Sequence, residues 1–524
     1  MEDTDLVVLW GSNAREAHPI FFHHVLKAIN KGTRMFAVDP RRTSSARWAD
    51  VWLGIDVGSD IALSNTIARE IIHSGLHHQD FIAHATSGFD EYAESVESWT
   101  LQRGEEVTGV PAATIRQLAQ EYATAPTAQI CWTLGITEHH NATDNVLALI
   151  NLALLTGHVG RYGSGLVPLR GQNNVQGGGD MGALPNRLPC FHEVADPEQR
   201  GKFEEVWGCF IPEEPGKHIS LMHEAMDEGE LVALYVIGEN PLQSEADAQA
   251  MERRLSGLDF MVVQDLFLTA TAELADVVLP AAGWGEVDGT FTSSERRVQR
   301  VRKAIDPPGE ARDDIEWLAS VARALGQDWP TPTAEEVWDE VRSLSWMHEG
   351  MSYQRLDEHG GLQWPCPSED HPGTEFLHGR LWEEETGPKA PFSVVEWVPP
   401  VDILSEEFPL RLTTGRRLDS YNTGVQSGRY NSPRRIHGVL DLSPEDAEDL
   451  EIAEGEMVRV VSRRGSLEAP VRLDRSLRPG LAFMAVHFPD DTDVNQLTID
   501  AWDPKSGTAE FKATAIRVET LVPT

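Results

Sequence analysis

Two passages of this chain follow one plan, and that repetition limits the folds open to it more than any other feature. In the first, the apolar run Leu6 to Trp10 ends at Gly11, apolar side chains recur at helical spacing from His18 to Asn30, and a second short run, Met35 to Val38, ends at Asp39. In the second, Leu231 to Ile237 ends at Gly238, a helical pattern covers roughly Ser244 to Leu255, and Phe260 to Gln264 ends at Asp265. The glycine precedes the acid by 28 positions in one case (39 − 11) and by 27 in the other (265 − 238). An asparagine follows each glycine by two residues, Asn13 and Asn240. A strand, crossover helix and strand return the chain to the same edge, so each passage predicts a parallel sheet. A diverged internal duplication explains the pair, and the predicted class is α/β with two related dinucleotide-binding domains.

In open parallel sheets, ligands sit beyond the carboxyl ends of the strands, where a tight first turn meets an acid that can bond a ribose or base. A duplicated site of this kind implies two nucleotides or one dimeric one. Neither passage carries the full G-x-G-x-x-G fingerprint, which disfavours an ordinary nicotinamide cofactor. Val51 to Leu53 predicts another strand, and Asp60 stands where the N-cap of a helix from about Ile61 to Ser74 belongs. The loop ahead of it, Asp56 to Ser59 with Gly58, fits a phosphate or sugar hydroxyl, although capping alone also accounts for Asp60. Pro111 to Tyr122 and Asn141 to Thr156 predict helices, and Gln129 to Trp132 predicts a strand running into Gly135.

Between the two passages lies Leu166 to Pro185, LVPLRGQNNVQGGGDMGALP, which packs one arginine, several amides and a run of glycines into a predicted loop. The planar guanidinium of Arg170 can grip a carboxylate through two parallel hydrogen bonds, and glycines let backbone amides approach a ligand closely. An ordinary connection is the competing reading. Further on, Arg296, Arg297 and Arg300 predict a solvated face, with interface contacts as the alternative, and Asp313 and Asp314 cap a helix from about Ile315 to Leu325. From about Pro409 the pattern changes to short strands, Leu410 to Thr414, Met457 to Ser462, Ser466 to Leu473 and Leu481 to Phe488, with a hairpin turn at Arg463-Arg464-Gly465. With one short helix near Pro444 to Leu450, this predicts a compact β-barrel. Arg416, unpaired at a strand end after Thr414, could contact phosphate or simply face water.

Charge narrows the partners. Lys plus Arg is 44 against 83 for Asp plus Glu, a net −39, which repels nucleic acid phosphates and anionic membranes. Arginine dominates the basic residues, and with the acidity this suggests adaptation to high salt, where repulsion is screened. No apolar run reaches the length of a membrane helix, and the N-terminus lacks a signal peptide's basic region and cleavage site. The four cysteines, Cys131, Cys190, Cys209 and Cys366, have neither disulfide-framework nor metal-cluster spacing and read as reduced thiols of a cytoplasmic protein.

The segments WGSNAREAHP, VDPRRTSSARWAD, LTGHVGRYGSG, VPLRGQNNVQGGGDMGALP, GENPLQSEAD, VVQDLFLTATAELADVVLPAAGWGE, LTTGR and AEFKATAIRVE together closely resemble the catalytic subunit of molybdenum or tungsten formate dehydrogenases, in the molybdopterin oxidoreductase superfamily. RGQNNVQG followed by DMGALP favours formate dehydrogenases over related nitrate reductases. The resemblance implies two molybdopterin guanine dinucleotides. Gly11, Asn13, Asp39, Pro40, Arg41, Gly58, Asp60 and Gly135 would serve one, and Gly238, Asn240, Gln264, Asp265 and Asp314 the other. Thr414, Arg416, Asn495 and Lys512 would close over both. Arg170 matches the arginine that holds formate, and Gln172 a glutamine near the pterin.

It further implies a first dinucleotide-binding domain over residues 1–171, a second over 172–282, a return segment over 283–375, a linker over 376–408 and a barrel domain over 409–524. The family's [4Fe-4S] cysteines, its bridging lysine and its metal-ligating cysteine or selenocysteine lie upstream of the matched region, and none of the four cysteines here replaces them. A separate chain, a misassigned start or a gene remnant would each account for this, and each implies that residues 1–524 alone do not oxidise formate. An electron-transfer subunit is an implied partner. The alternatives are a non-catalytic pterin-binding or assembly protein, or another molybdopterin oxidoreductase such as a nitrate reductase relative.

Overall fold

The structure, a computed structural model, describes residues 1–418, 420, 422–423, 438–489 and 492–521. The first sheet is parallel throughout. Its strands are β1 (Leu6–Trp10), β2 (Arg34–Val38), β3 (Val51–Leu53), β4 (Ala128–Trp132) and β5 (Gly165–Pro168), ordered β3-β2-β1-β4-β5. β1 and β4 are buried along their whole length, as near-continuous apolar runs must be when helices cover both faces. Four of those helices are α1 (Pro19–Asn30), α2 (Asp60–His73), α3 (Ala112–Thr124) and α4 (Ala142–Thr156). Val8, Trp10, Phe36, Ile67, Leu118 and Leu149 fill the core on one side of the sheet, and Val7, Leu9, Phe22 and Met35 fill it on the other.

The predicted glycine-rich loop is not all loop. Its first residues complete β5, and the glycine run itself winds into a short helix, α5 (Val175–Asp180). The later passage forms a smaller parallel sheet, β6 (Ala233–Ile237), β7 (Phe260–Asp265) and β8 (Val277–Pro280), ordered β8-β7-β6.

Strand register repeats between the two sheets. Leu6 to Trp10 pair with Arg34 to Val38 as Ala233 to Ile237 pair with Phe260 to Gln264, and Phe36 pairs with Val51 as Val262 pairs with Val277.

The C-terminal strands are β9 (Leu410–Gly415), β10 (Leu440–Leu442), β11 (Met457–Val461), β12 (Ser466–Leu473), β13 (Leu481–Ala485) and β14 (Thr514–Thr520). They close into a barrel, β9-β13-β10-β12-β11-β14, leaving no free edge. Alternation along β11 and β12 points Val458, Val460, Leu467, Ala469 and Val471 into its core. The hairpin turn at Arg463-Arg464-Gly465 joins these two strands as expected.

The chain divides into two compact units. One comprises Met1–Leu169, Gln243–Met251 and Phe376–Thr524, and so holds the first sheet and the barrel. The other comprises Arg170–Leu242 and Glu252–Glu375, and holds α5 and the second sheet. Among the described residues, no helix is long and apolar enough to cross a membrane.

Candidate functional site

In the first unit the residues singled out from sequence gather at the carboxyl ends of the strands. Gly11, with φ of +56°, follows β1; its N–H donates to the Val38 carbonyl (2.8 Å), and its carbonyl accepts from the Gly135 N–H (3.2 Å) and the Thr133 hydroxyl (2.7 Å). A Cβ on Gly135 would lie 2.5 Å from the Gly11 carbonyl oxygen, so both positions need glycine for the approach of one backbone to another. Gly58 is similarly covered: a Cβ there would lie 2.7 Å from Pro400, and its carbonyl accepts from the Trp397 indole (2.9 Å).

Asn13 turns its amide oxygen to the Ser45 N–H (3.3 Å) and the hydroxyls of Ser45 (2.9 Å) and Ser44 (3.1 Å), clipping the loop after β2 onto the turn after β1. In that loop Asp39 accepts from the Arg41 N–H at 2.9 Å, Pro40 lies half-buried, and the Arg41 guanidinium stacks on Phe483 of β13, 3.6 Å from the ring centroid. Asp39 is recessed but not sealed. Its surroundings push the carboxyl up to about 6, chiefly by burial, against the charges of Arg41 and Lys512.

Asp60 is not the helix cap expected from sequence. Ser59 takes that position, and Asp60, the first residue of α2, turns inward to accept from the Trp10 indole at 2.8 Å. Burial raises its pKa, with His139 opposing.

The barrel supplies the opposite charges. Thr414, next to last in β9, donates its hydroxyl to the Phe511 carbonyl (2.8 Å); buried Lys512 reaches Glu138 (2.5 Å) and the Thr414 carbonyl (3.3 Å). Arg416, expected to be unpaired, donates to the Asn422 amide oxygen at 2.6 Å. Asn495 donates to the Gln243 carbonyl (3.1 Å) and thereby ties the barrel to that segment of its own unit.

Sequence reading missed Glu510, which is fully buried. It lies 3.2 Å from the Nδ1 atoms of both His139 and His140 and accepts the N–H groups of His140, Lys512 and Ala513 at 2.9 to 3.0 Å. Burial opposes its charge, but His139 and these hydrogen bonds prevail and hold the carboxyl well below the usual range. His139 is raised in turn, Glu510 outweighing burial. A histidine pair and a glutamate about 370 positions away leave no spacing signal.

The second unit repeats the arrangement of the first, atom for atom in several places. Gly238 (φ +64°) donates to the Gln264 carbonyl at 2.8 Å, and Asn240 turns its amide oxygen to the N–H (3.2 Å) and hydroxyl (2.7 Å) of Thr271. Thr271 is six residues past Asp265, just as Ser45 is six past Asp39. Asp265 accepts from the Phe267 N–H (3.2 Å), as Asp39 does from Arg41. Asp276 accepts from the Met261 N–H (2.7 Å), as Asp50 does from Met35 (2.8 Å).

The second unit also differs from the first. A Cβ on Gly238 would meet nothing within 4 Å, so this turn is open where Gly11's is packed. Gln264, fully buried, accepts from the Tyr235 hydroxyl and donates to Asp314 (2.5 Å). The helix cap belongs to Asp313 alone, which accepts from the Ile315 N–H.

Arg170 is exposed, its Nε donating to Gln176 at 3.0 Å, and Gln172 is half-exposed nearby in sequence. The arginines expected on a solvated face are partly inward. Arg296 donates to the carbonyls of Trp364, Thr374 and Glu375, and Arg300 stacks on Tyr353. All four cysteines are free thiols.

The donor set suits a large polyanionic ligand with hydroxyl and amide edges. The Ser12 hydroxyl, between Gly11 and Asn13, is buried with no hydrogen-bond partner among the described residues, and the same holds for Arg417 Nη1 and His140 Nε2. Native proteins rarely leave such groups orphaned without a ligand or water. Backbone turns at strand ends, recessed acids and nearby cations are the elements of nucleotide binding in parallel sheets.

Two related parallel sheets of the nucleotide-binding type, one in each unit, and a closed barrel in the first define the class of protein. The family described as Molybdopterin oxidoreductase matches residues 1–324, and the Molydopterin dinucleotide binding domain matches residues 410–515. The chain belongs to the molybdopterin oxidoreductase family. It is 41% identical to the F420-dependent formate dehydrogenase 2 subunit alpha of Methanococcus maripaludis, over 99% of this chain and 77% of that protein. It is 36% identical to formate dehydrogenase H of Escherichia coli, over 99% of this chain and 73% of that one. The acetylene hydratase of Pelobacter acetylenicus shares the fold, with a TM-score of 0.76 at 21% identity, covering 99% of this chain and 78% of that structure.

Proposed function

We propose that this chain binds two molybdopterin guanine dinucleotides and forms the larger part of a formate dehydrogenase catalytic subunit, which oxidises formate to carbon dioxide. The observation that carries the reading is the repeated strand-end arrangement, Gly11, Asn13 and Asp39 in one unit and Gly238, Asn240 and Asp265 in the other, with the same hydrogen bonds in each. Two equivalent sites suit a ligand that comes as a pair. Formate rather than another substrate is supported by the similarity to formate dehydrogenases over nearly the whole chain. Fold alone does not choose the chemistry, as the likeness to a hydratase makes plain.

In the first unit, Ser12, Asp39, Asp60, Arg41, Arg416 and Lys512 would hold one dinucleotide, with Gly11, Asn13, Pro40, Gly58, Gly135, Thr414 and Asn495 shaping the site. In the second, Gly238, Asn240, Gln264, Asp265 and Asp314 would hold the other. The bound molybdenum or tungsten group supplies a two-electron acceptor. Arg170 grips the formate carboxylate, neutralises it and fixes the direction of its C–H bond, and Gln172 would lie near the pterin.

The spacing of the four cysteines suits no iron–sulfur cluster, and two of them are poor metal ligands. Burial pushes Cys131 up to about 12 and Cys190 up to about 11, away from the thiolate form that ligation needs. A [4Fe-4S] cluster and a metal-ligating cysteine or selenocysteine are therefore proposed to come from another segment or chain, with an electron-transfer subunit beyond it.

The test is purified chain assayed for metal, guanine nucleotide and formate-dependent dye reduction, alone and with an added fragment carrying the cluster cysteines. Bound nucleotide without turnover, rescued by the fragment, is expected. Nucleotide-free chain, or no rescue, contradicts the proposal.

A further inference from the structure

We infer that Asp180, acting through Gln176, is a positioning residue that sets the plane of the Arg170 guanidinium; the inference rests on Arg170 being the formate-binding group. The three residues form a line of hydrogen bonds. Arg170 Nε donates to Gln176 Oε1 (3.0 Å), Gln176 Nε2 donates to Asp180 Oδ1 (2.7 Å), and the Trp364 indole Nε1 donates to Asp180 Oδ2 (2.9 Å).

The glycine run makes this possible. By folding as α5 it sets Gln176 and Asp180 four residues apart on one helical face. Burial increases along the line, from exposed Arg170 to Gln176 at 8% and Asp180 at 0%, so water does not compete at its inner end.

The line has only one consistent direction. An indole N–H can only donate and a carboxylate can only accept, so Asp180 must take a proton-bearing atom from each neighbour. Gln176 therefore turns its NH2 group inward and its carbonyl outward, which is the orientation that Arg170 Nε–H requires. A neutral amide at position 180 breaks this logic. Asparagine has nearly the shape of aspartate, but its NH2 faces either the Trp364 donor or the Gln176 donor. If Gln176 flips to relieve the clash, its own NH2 faces Arg170. Burying a carboxylate is otherwise costly, and here two N–H donors with the charges of Arg170 and Arg296 nearby support it against the burial that raises its pKa. The proposed chemistry at Arg170 uses neither Asp180 nor Trp364.

Formate affinity of the full cofactor-loaded chain, measured by isothermal titration calorimetry, tests this without requiring turnover. The variants are Asp180→Asn and Trp364→Phe, each in the wild type and in Gln176→Leu, whose side chain keeps roughly the size of glutamine but can hydrogen-bond to neither Arg170 nor Asp180. In the wild-type background, Asp180→Asn is expected to weaken formate binding roughly tenfold, the scale of one charge-assisted hydrogen bond. Trp364→Phe, which keeps the carboxylate but removes its inner donor, should weaken it about threefold on the same scale. In the Gln176→Leu background both should be neutral.

A wild-type-like affinity in Asp180→Asn, or equal losses in both backgrounds, overturns the inference. Should Asp180→Asn not fold, Trp364→Phe carries the same comparison. A wild type that binds no formate, or an Arg170→Met chain that binds it unchanged, instead overturns the formate-binding reading and the inference with it.

Discussion

Glu510, from the segment leading into the last barrel strand, lies 3.2 Å from His139, which follows the fourth strand of the first sheet, and both side chains are buried. This ion pair fastens the barrel to the sheet within one unit, close to Asp60 and Lys512. Removing one partner from such a pair leaves a buried charge uncompensated.

The pair gives the unit a pH signature. Glu510 titrates below its ordinary 4.5, so its stabilisation is present above that value and fades as pH falls through the lower folded one. His139 titrates above its ordinary 6.5, so its stabilisation is present below 6.5 and fades as pH rises through the higher folded value. Thermal unfolding followed across pH should show the pair fully effective between 4.5 and 6.5. His139→Gln should unfold more easily at pH 6 by roughly 3 kcal/mol and lose less on going alkaline. Parallel profiles for the two proteins would count against the pair's role.

The duplicated asparagines should separate the two dinucleotide sites. Asn13→Ala strands the Ser45 N–H and hydroxyl, and Asn240→Ala strands those of Thr271, each costing about 2 kcal/mol of local stability. Each variant is expected to retain about one guanine nucleotide fewer per chain than the wild type, measured after acid release. Equal retention in all three proteins would assign these residues to folding alone.

The glycines divide differently. Gly135→Ala drives a methyl group into the Gly11 backbone, with a predicted loss of about 3 kcal/mol and a clear drop in Tm. Gly238→Ala meets open space and carries only the strain of a positive φ, about 1 kcal/mol. Its larger effect is expected in nucleotide content. Similar Tm losses for the two would refute the contrast.

Much of this was legible in the chain because strand ends punctuated by glycine and aspartate are local signals, and the 28- and 27-residue spacings repeat them. The hairpin at Arg463-Arg464-Gly465 was visible for the same reason. The glycine run read as loop because glycine is a poor helix former; α5 exists through its setting, with Asn174 at φ +62° and bonded to the Thr292 N–H ahead of it. Arg296 read as solvated because nothing local announces the three distant carbonyls that receive its guanidinium. Asp60 sits one residue past the N-cap position, and only the Trp10 indole shows why it faces inward. The short strand Leu440–Leu442 and the closing strand Thr514–Thr520 went unread, the first because three residues carry no period.

The most direct measurement is the ratio of guanine nucleotide to protein in chain purified from a host that makes the pterin cofactor, with metal counted in the same sample. Two guanine nucleotides and one molybdenum or tungsten per chain are the predicted result. A ratio of one nucleotide, or none, in folded and metal-containing protein would contradict the claim that the two repeated strand-end arrangements each hold a dinucleotide.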